Sequence, residues 1–403
     1  LNLAFEMIGP ENSQKVIERI NAIYDDSLVQ LALDGLPKMF LPDESAFCEI
    51  AQADSRHNLI LSGLSLRYTA MSLIGLTMQE SLGRPTDLPL DKITARLVAW
   101  CTEEISMGEV GLLIWALALR NDPRIDQVAR ILVDQTATLL DEKFSFSSMS
   151  LGWLLTGLSV AVQKQLGPPQ LSQIAERAYN KLMKNRSKET GLFSLATPLL
   201  RKNIFIGRLN AKLGSFASQV YPVIGLSYYS IAQKCPEALD IAQRNVDQLC
   251  RLQGAQGQWW WLYRVKDAEP AVKYPVYSVH QDAMGPMFVL AARLAGAEGE
   301  KQLSAVEKSL RWFQERNELA SEALIDREKS VVWRAIQRDA PERTGGFGLG
   351  VFERLRMHRT AWLGGSDTRE FTKGYVCRQC RPYHLGWILY AAALAHELGE
   401  SIK

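Results

Sequence analysis

Six short stretches of the chain carry side chains suited to moving a proton or holding an anion. His280 and Asp282 close the segment Tyr274-Pro-Val-Tyr277-Ser-Val-His280-Gln-Asp282, just ahead of the apolar run 287–294. Arg67-Tyr68, Glu109 and Arg381-Pro-Tyr383-His384 occupy similar places before other apolar runs, as do Ser150 and Ser218-Gln219. Imidazoles, carboxyls and phenols exchange protons with a substrate, and a guanidinium pairs with a carboxylate through two parallel hydrogen bonds. Two chemistries fit. Asp282 as acid and Glu109 as base would form the pair that glycosidic hydrolysis uses on either side of the bond. Alternatively, Tyr383 or Tyr68 with His280 or His384 would shuttle protons in a lyase or epimerase, while Arg67 and Arg381 neutralise a substrate carboxylate. Trp259, Trp260, Tyr263 and Tyr277 crowd one connection and offer flat faces for a sugar ring. Gln219 joins them as a polar group for binding.

Such residues need elements that gather them, and the hydrophobic pattern supplies these. Helical spacing dominates, and long alternating β-branched runs are scarce. Polar-faced helices alternate with mostly apolar ones in six pairs: 12–33 with 58–78, 91–105 with 109–119, 125–140 with 150–162, 171–185 with 217–232, 236–252 with 282–295, and 300–316 with 383–398. The second members align on Ile74-Gly75-Leu76, Trp115-Ala116-Leu117, Thr156-Gly157-Leu158, Ile224-Gly225-Leu226, Phe288-Val289-Leu290 and Leu389-Tyr390-Ala391. Gly75, Ala116 and Gly157 fall at equal intervals of 41 residues. Gly or Ala at the centre of four triplets predicts close helix packing.

Helices that are apolar all round belong inside a ring of amphipathic ones. The chain is therefore expected to be all-α and one domain over residues 1–403. It should close into a single (α/α)6 toroid with a few short strands in long loops. A superhelical array is the alternative. In a closed ring the inner helices run parallel and their N-termini meet at one mouth. Seven residues before the triplet centres stand Tyr68, Glu109, Ser150, Ser218, Asp282 and Tyr383, none of them aliphatic. Ser and Asp also cap helices, whereas Tyr, Arg and His do so poorly. Connections 187–215 and 317–376 exceed ordinary loop length and are expected to carry function. Within the second, 330–338 reads as a strand, and Gly345-Gly-Phe-Gly-Leu-Gly350 lacks the Lys-Ser/Thr of a phosphate loop.

Hydrophobic residues at 47% and charged residues at 22% are those of a globular protein, and a net charge of +2 gives no electrostatic reason for nucleic acid as a partner. No apolar run reaches the roughly 20 residues that span a bilayer. The start, Leu1-Asn-Leu-Ala-Phe-Glu, has no basic, signal-like region and no initiator Met, so a trimmed leader and a cytoplasmic location are both compatible with it. Six scattered cysteines do not suggest a disulfide framework. Cys377-Arg-Gln-Cys380 followed by His384 is half of a zinc motif, and no second Cys-x2-Cys completes it. The expectation is no metal and no cofactor; Cys377, Cys380 and His384 would be the ligands of a zinc.

The turn Gln253-Gly-Ala-Gln-Gly257-Gln-Trp259 resembles the Q…G-x-W turn of terpene cyclases and prenyltransferases, which are α-toroids. Gly191-Leu-Phe193 and Gly346-Phe347 are shorter versions. Similar Gly-aromatic turns occur in six-hairpin glycosidases, polysaccharide lyases and sugar epimerases. The resemblance implies a toroid over most of the chain. Terpenoid cyclisation would need an Asp-rich metal motif, and Asp25-Asp26 lacks its further Asp. Lantibiotic cyclases are toroids with a Cys/Cys/His zinc, which is the comparison for the half-motif above. The expected function is cleavage or epimerisation of an oligosaccharide or polysaccharide at the mouth. A terpenoid cyclase and a non-catalytic glycan- or protein-binding toroid are the alternatives.

Overall fold

The computed structural model describes residues 10–24, 28–54, 58–101, 106–134, 144–196, 211–315, 317–319, 323–338 and 374–402. Six helices form an inner ring: α3 (Leu66–Ser81), α5 (Met107–Arg120), α7 (Ser148–Gln163), α9 (Ala217–Ala232), α11 (Gly285–Leu294) and α13 (Pro382–Ile402). Each packs on the next, and α13 returns to α3, so the ring closes. Around it lie α1 (Pro10–Ile23), α2 (Val29–Lys38), α4 (Leu90–Trp100), α6 (Ile125–Asp134), α8 (Gln170–Met183), α10 (Pro236–Leu252) and α12 (Glu300–Gln314). Helix α1 rests on α12 and α13, joining the first hairpin to the last. The toroid expected from the alternation is the observed fold, and the superhelical array is not. Leu1–Gly9, Asp25-Asp26 and the glycine-rich 345–350 lie outside the described residues.

Burial explains the two layers. Helix α5 is buried without a break over 107–118, whereas α6 buries only the stripe Ile125, Val128, Ala129 and Leu132. Glycines let the inner backbones touch. A β-carbon on Gly75 would run into the Gly386 carbonyl oxygen, and one on Gly157 into that of Gly111. Gly111 lies against the Leu154 backbone, and Gly152 against the Tyr221–Pro222 peptide. Gly108 meets Ser150 where Gly111 meets Leu154, so neighbouring chains advance together and the helices are parallel.

Outside the ring the sequence reading needs correction. The first outer segment is two helices, α1 and α2, and 58–64 is not helical. Strand β3 (Leu59–Leu64) pairs antiparallel with β2 (Ala46–Ala53), which also holds β1 (Phe40–Leu41) and β12 (Gln379–Cys380). Gly63 at φ +66 and the Ser65 cap, whose hydroxyl accepts from Tyr68 N, delay the helix until Leu66. A second sheet joins β7 (Val276–Tyr277), β10 (Ala335–Gln337) and β11 (Tyr375–Cys377). A third holds β4 (Leu213–Ser215), β5 (Leu262–Arg264) and β6 (Glu269–Val272). The expected strand 330–338 is broken at Trp333-Arg334 into β9 (Val331–Val332), paired with β8 (Ile325–Asp326), and β10.

The Q…G-x-W turn is a clip. The Gln253 side-chain amide donates to Gly257 O at 3.0 Å and to Ala305 O at 2.9 Å, fastening the end of α10 to α12. Gly257 has φ +112 and lies on the Lys308 carbonyl, so no other residue fits without strain. Among the described residues no helix is long and apolar enough to cross a membrane.

If backbone contact holds the ring, Gly75→Ala or Gly157→Ala should each lower the unfolding free energy by about 1–3 kcal/mol, as overpacking does. Urea titration monitored by circular dichroism measures this. Unchanged midpoints would mean that the inner helices separate at no loss.

Candidate active site

Serine caps define the inner-helix starts. Ten residues before four of the triplet centres stand Ser65, Ser106, Ser147 and Ser215. Each hydroxyl accepts the backbone N–H three residues on, at Tyr68, Glu109, Ser150 and Ser218. The caps are therefore one turn upstream of the serines singled out from the sequence, and Ser150 and Ser218 instead touch the cap hydroxyls at 2.8 Å. This repeated serine was legible in the sequence and went unused. Glu109 completes a capping box by accepting from Ser106 N at 2.9 Å.

Two groups of side chains meet at these helix starts. In the first, His384 Nε2 lies 2.8 Å from both Asp282 carboxylate oxygens, bridging α13 and the π-helical turn His280–Met284 that opens α11. The widened turn leaves carbonyls to be satisfied from outside: Tyr24 donates to Asp282 O at 2.7 Å and Ser309 to Gln281 O at 3.0 Å. Asp282 is 0% exposed and His384 3%. Burial raises the Asp282 pKa, with the His384 charge and hydrogen bond pulling the other way. A carboxylate facing Nε2 requires the ring proton there, which makes Nδ1 the basic nitrogen of the neutral ring. His280 is buried between Phe216 and Tyr277, with ring centroids at 4.7 and 5.2 Å, and its Nδ1 has no hydrogen-bond partner. Burial, then the nearby His384 charge, lower its pKa to about 3, so it is neutral at pH 7.

The second group is aromatic and cationic. Tyr68 and Tyr383 pack with centroids 4.6 Å apart, and Arg381 donates to the Tyr68 hydroxyl at 3.2 Å while lying 3.6 Å from Glu49. Arg67 pairs with Glu109 Oε1 through Nε at 2.9 Å and Nη2 at 2.5 Å. Burial pushes the Glu109 carboxyl up, but the Ser106 N–H and the Arg67 guanidinium outweigh it and hold the pKa below the usual range. Burial, then neighbouring Tyr68, raise the Tyr383 pKa, so its phenol keeps its proton. Below the mouth the ring is filled: Trp115 packs on Trp387 and Tyr390, and Trp387 Nε1 donates to the Tyr221 hydroxyl at 2.9 Å. Trp115 and Tyr390 stand out in the sequence only as members of the repeated triplets, and Trp387 and Tyr221 not at all, because an aromatic on an apolar helix carries no distinguishing pattern.

Several expected site residues serve the fold instead. The Gln219 amide is fully engaged, accepting from Phe193 N and Asn245 Nδ2 and donating to Phe193 O and Ser215 O. Trp259 and Tyr263 are 0% exposed and Trp260 is 7%, leaving no face for a sugar. Of the tryptophan run, Trp261 is half-buried, with its ring 6.1 Å from that of Tyr277. Glu109 is committed to its cap and its arginine. Cys377 and Cys380 belong to different sheets, burial raises both thiol pKa values (Cys380 to about 12), and His384 already holds Asp282. Among the described residues no three His, Cys, Asp or Glu are grouped closely enough for a metal.

His280 gives a pH signature. Unfolded, it titrates near 6.5; folded, it stays neutral down to about 3. Within that window the unfolded chain holds the extra proton. Its contribution to stability is thus complete above pH 6.5 and is lost on acidification, at up to about 1.4 kcal/mol per pH unit. His280→Phe should flatten the acid side of a melting-temperature profile over this window. A profile of unchanged slope would contradict the buried neutral imidazole.

No family model matches the chain, and no curated protein matches it in sequence. Solved structures do. An unsaturated glucuronyl hydrolase specific for heparin superposes with a TM-score of 0.59 at 10% identity, covering 97% of this chain and 99% of that one. Cellobiose 2-epimerase from Bacillus thermoamylovorans gives 0.59 at 10% identity, covering 94% and 99%. An α-1,6-mannanase of Salegentibacter in complex with α-1,6-mannotriose gives 0.51 at 11%, covering 95% and 99%. At these identities the likeness is one of fold, and the chain shares the (α/α)6 toroid with them over nearly its whole length.

Proposed function

We propose that this protein is a carbohydrate-active enzyme that transfers a proton at a sugar carbon, as a lyase or an epimerase does. The observation that carries the proposal is the buried Asp282–His384 contact at the start of the inner helices. His384 is the proton-transfer group. Asp282, with no exposed surface, is its positioning residue rather than the acid itself. Neutral His280 supplies a second base, and protonated Tyr383 an acid. A two-carboxylate hydrolase is less well supported, because Glu109 is held by Arg67 and by its own helix cap. A glycan substrate is supported by the solved structures of the same fold, which include a glucuronyl hydrolase and a cellobiose epimerase. The polar rim of arginine, histidine and tyrosine is unlike the aromatic cavity expected of a terpenoid cyclase.

Turnover in heavy water distinguishes the readings. Incubation with uronate-containing and neutral oligosaccharides should give deuterium on a sugar carbon or an unsaturated sugar end. Cleavage with neither would identify a hydrolase and overturn the proposal. Asp282→Asn should lower kcat by about 100-fold or more. An amide can donate to Nε2 and so force the proton onto Nδ1. Melting temperature and substrate binding should stay nearly constant, and the pH profile of kcat/KM should shift. Loss of activity in step with unfolding would reduce Asp282 to a structural role.

A further inference from the structure

Arg334 occupies the break between β9 and β10, and the backbone fixes it on both sides. Its N–H donates to Cys377 O at 3.1 Å, and its carbonyl accepts from Ser278 N at 2.9 Å. The preceding Trp333 is 2% exposed, and its carbonyl accepts the Ser278 hydroxyl at 2.6 Å. The half-buried guanidinium lies 5.4 Å from the Tyr277 ring centroid and donates through Nη1 to Gln379 Oε1 at 3.2 Å. Tyr277, Tyr383 and Tyr68 are within its electrostatic reach, and Tyr277 in turn packs on His280.

Arg67 has Glu109 and Arg381 has Glu49, but among the described residues Arg334 has no carboxylate partner. A guanidinium withdrawn from water without an anion is costly, since burial favours charge only when it is paired. Five N–H groups in a fixed plane match two coplanar oxygens, which is carboxylate geometry. The position also has a chemical consequence. A carboxylate neutralised here would sit beside Tyr277, which packs on His280, and neutralising it makes the adjacent C–H more acidic and so easier for a base to remove.

We infer that Arg334, with the tyrosines around it, is the binding site for the carboxylate of a uronic acid, and that the enzyme acts on acidic rather than neutral sugars. This rests on the proposed function for its chemistry, but its test is one of binding. Disaccharides ending in glucuronate, galacturonate or mannuronate are compared by calorimetry with the same disaccharides reduced to alcohols at the carboxyl. The wild type should bind at least one acid about tenfold or more tighter than its reduced form. Arg334→Gln should abolish that preference while leaving the melting temperature nearly unchanged. Arg334→Lys, which keeps a charge without the planar fork, should retain part of it and decides the matter if the Gln variant does not fold. The inference is overturned if acid and reduced forms bind alike or neither binds, if the preference survives in Arg334→Gln, or if a sulfated neutral disaccharide binds as well as the acids. Turnover reports separately. Acid-selective binding through Arg334 with no reaction on any sugar would sink the proposed function alone, and proton exchange on neutral sugars unaffected by Arg334→Gln would sink this inference alone.

Discussion

Backbone contact between parallel helices is the constraint on which the rest of this protein depends. Parallel inner helices align their dipoles and leave unpaired N–H groups at one end, an arrangement that is unfavourable unless something gathers there to satisfy it. Gly75, Gly111, Gly152, Gly157 and Gly386 bring the backbones together, and the apolar flanks of each helix then close the ring. The N-terminal ends are satisfied in turn by Ser65, Ser106, Ser147 and Ser215 and by the Glu109 carboxylate. A rim built to accept acceptors and negative charge is a direct product of the packing.

That rim manages its charges in two ways. Glu109 and Glu49 each face an arginine, and Glu109, held below the usual carboxylate range, is spent on structure. Asp282 is fully buried and faces only an imidazole, so burial raises its pKa while His384 pulls the other way. The π-helical turn is what makes this possible. It turns the backbone carbonyls of Gln281 and Asp282 toward Ser309 and Tyr24, and so frees the carboxylate for the histidine of the neighbouring helix. Tyr277, wedged between His280 and Arg334, links this pair to the cationic side of the mouth.

The same ring supports a glucuronyl hydrolase, a mannanase and a cellobiose epimerase at about a tenth of sequence identity. In this chain the ring rests on the alternation of apolar and amphipathic helices and on a small residue where backbones touch. Fold alone does not fix a reaction, so the proposed chemistry rests on the identities of the rim residues.

The sequence by itself determined the ring. Repeated triplets, glycines at their centres and nearly apolar second helices reflect burial on every side, and burial is a property that each segment records locally. It also marked the places at the helix starts where Tyr68, Glu109, Asp282, Tyr383 and His384 stand, since equal offsets on parallel helices reach equal heights. Tertiary structure alone decided which of them meet. Nothing in the spacing pairs Asp282 with His384 rather than with Glu109, because the contact runs between helices 102 positions apart in the chain. Nothing marks Gln219, Trp259 or Tyr263 as core rather than cleft, since a side chain's direction at a loop–helix junction depends on what packs above it. Arg334 was invisible for the same reason. That no acidic partner stands beside it among the described residues is a statement about its neighbours, and those are assembled only when the ring closes.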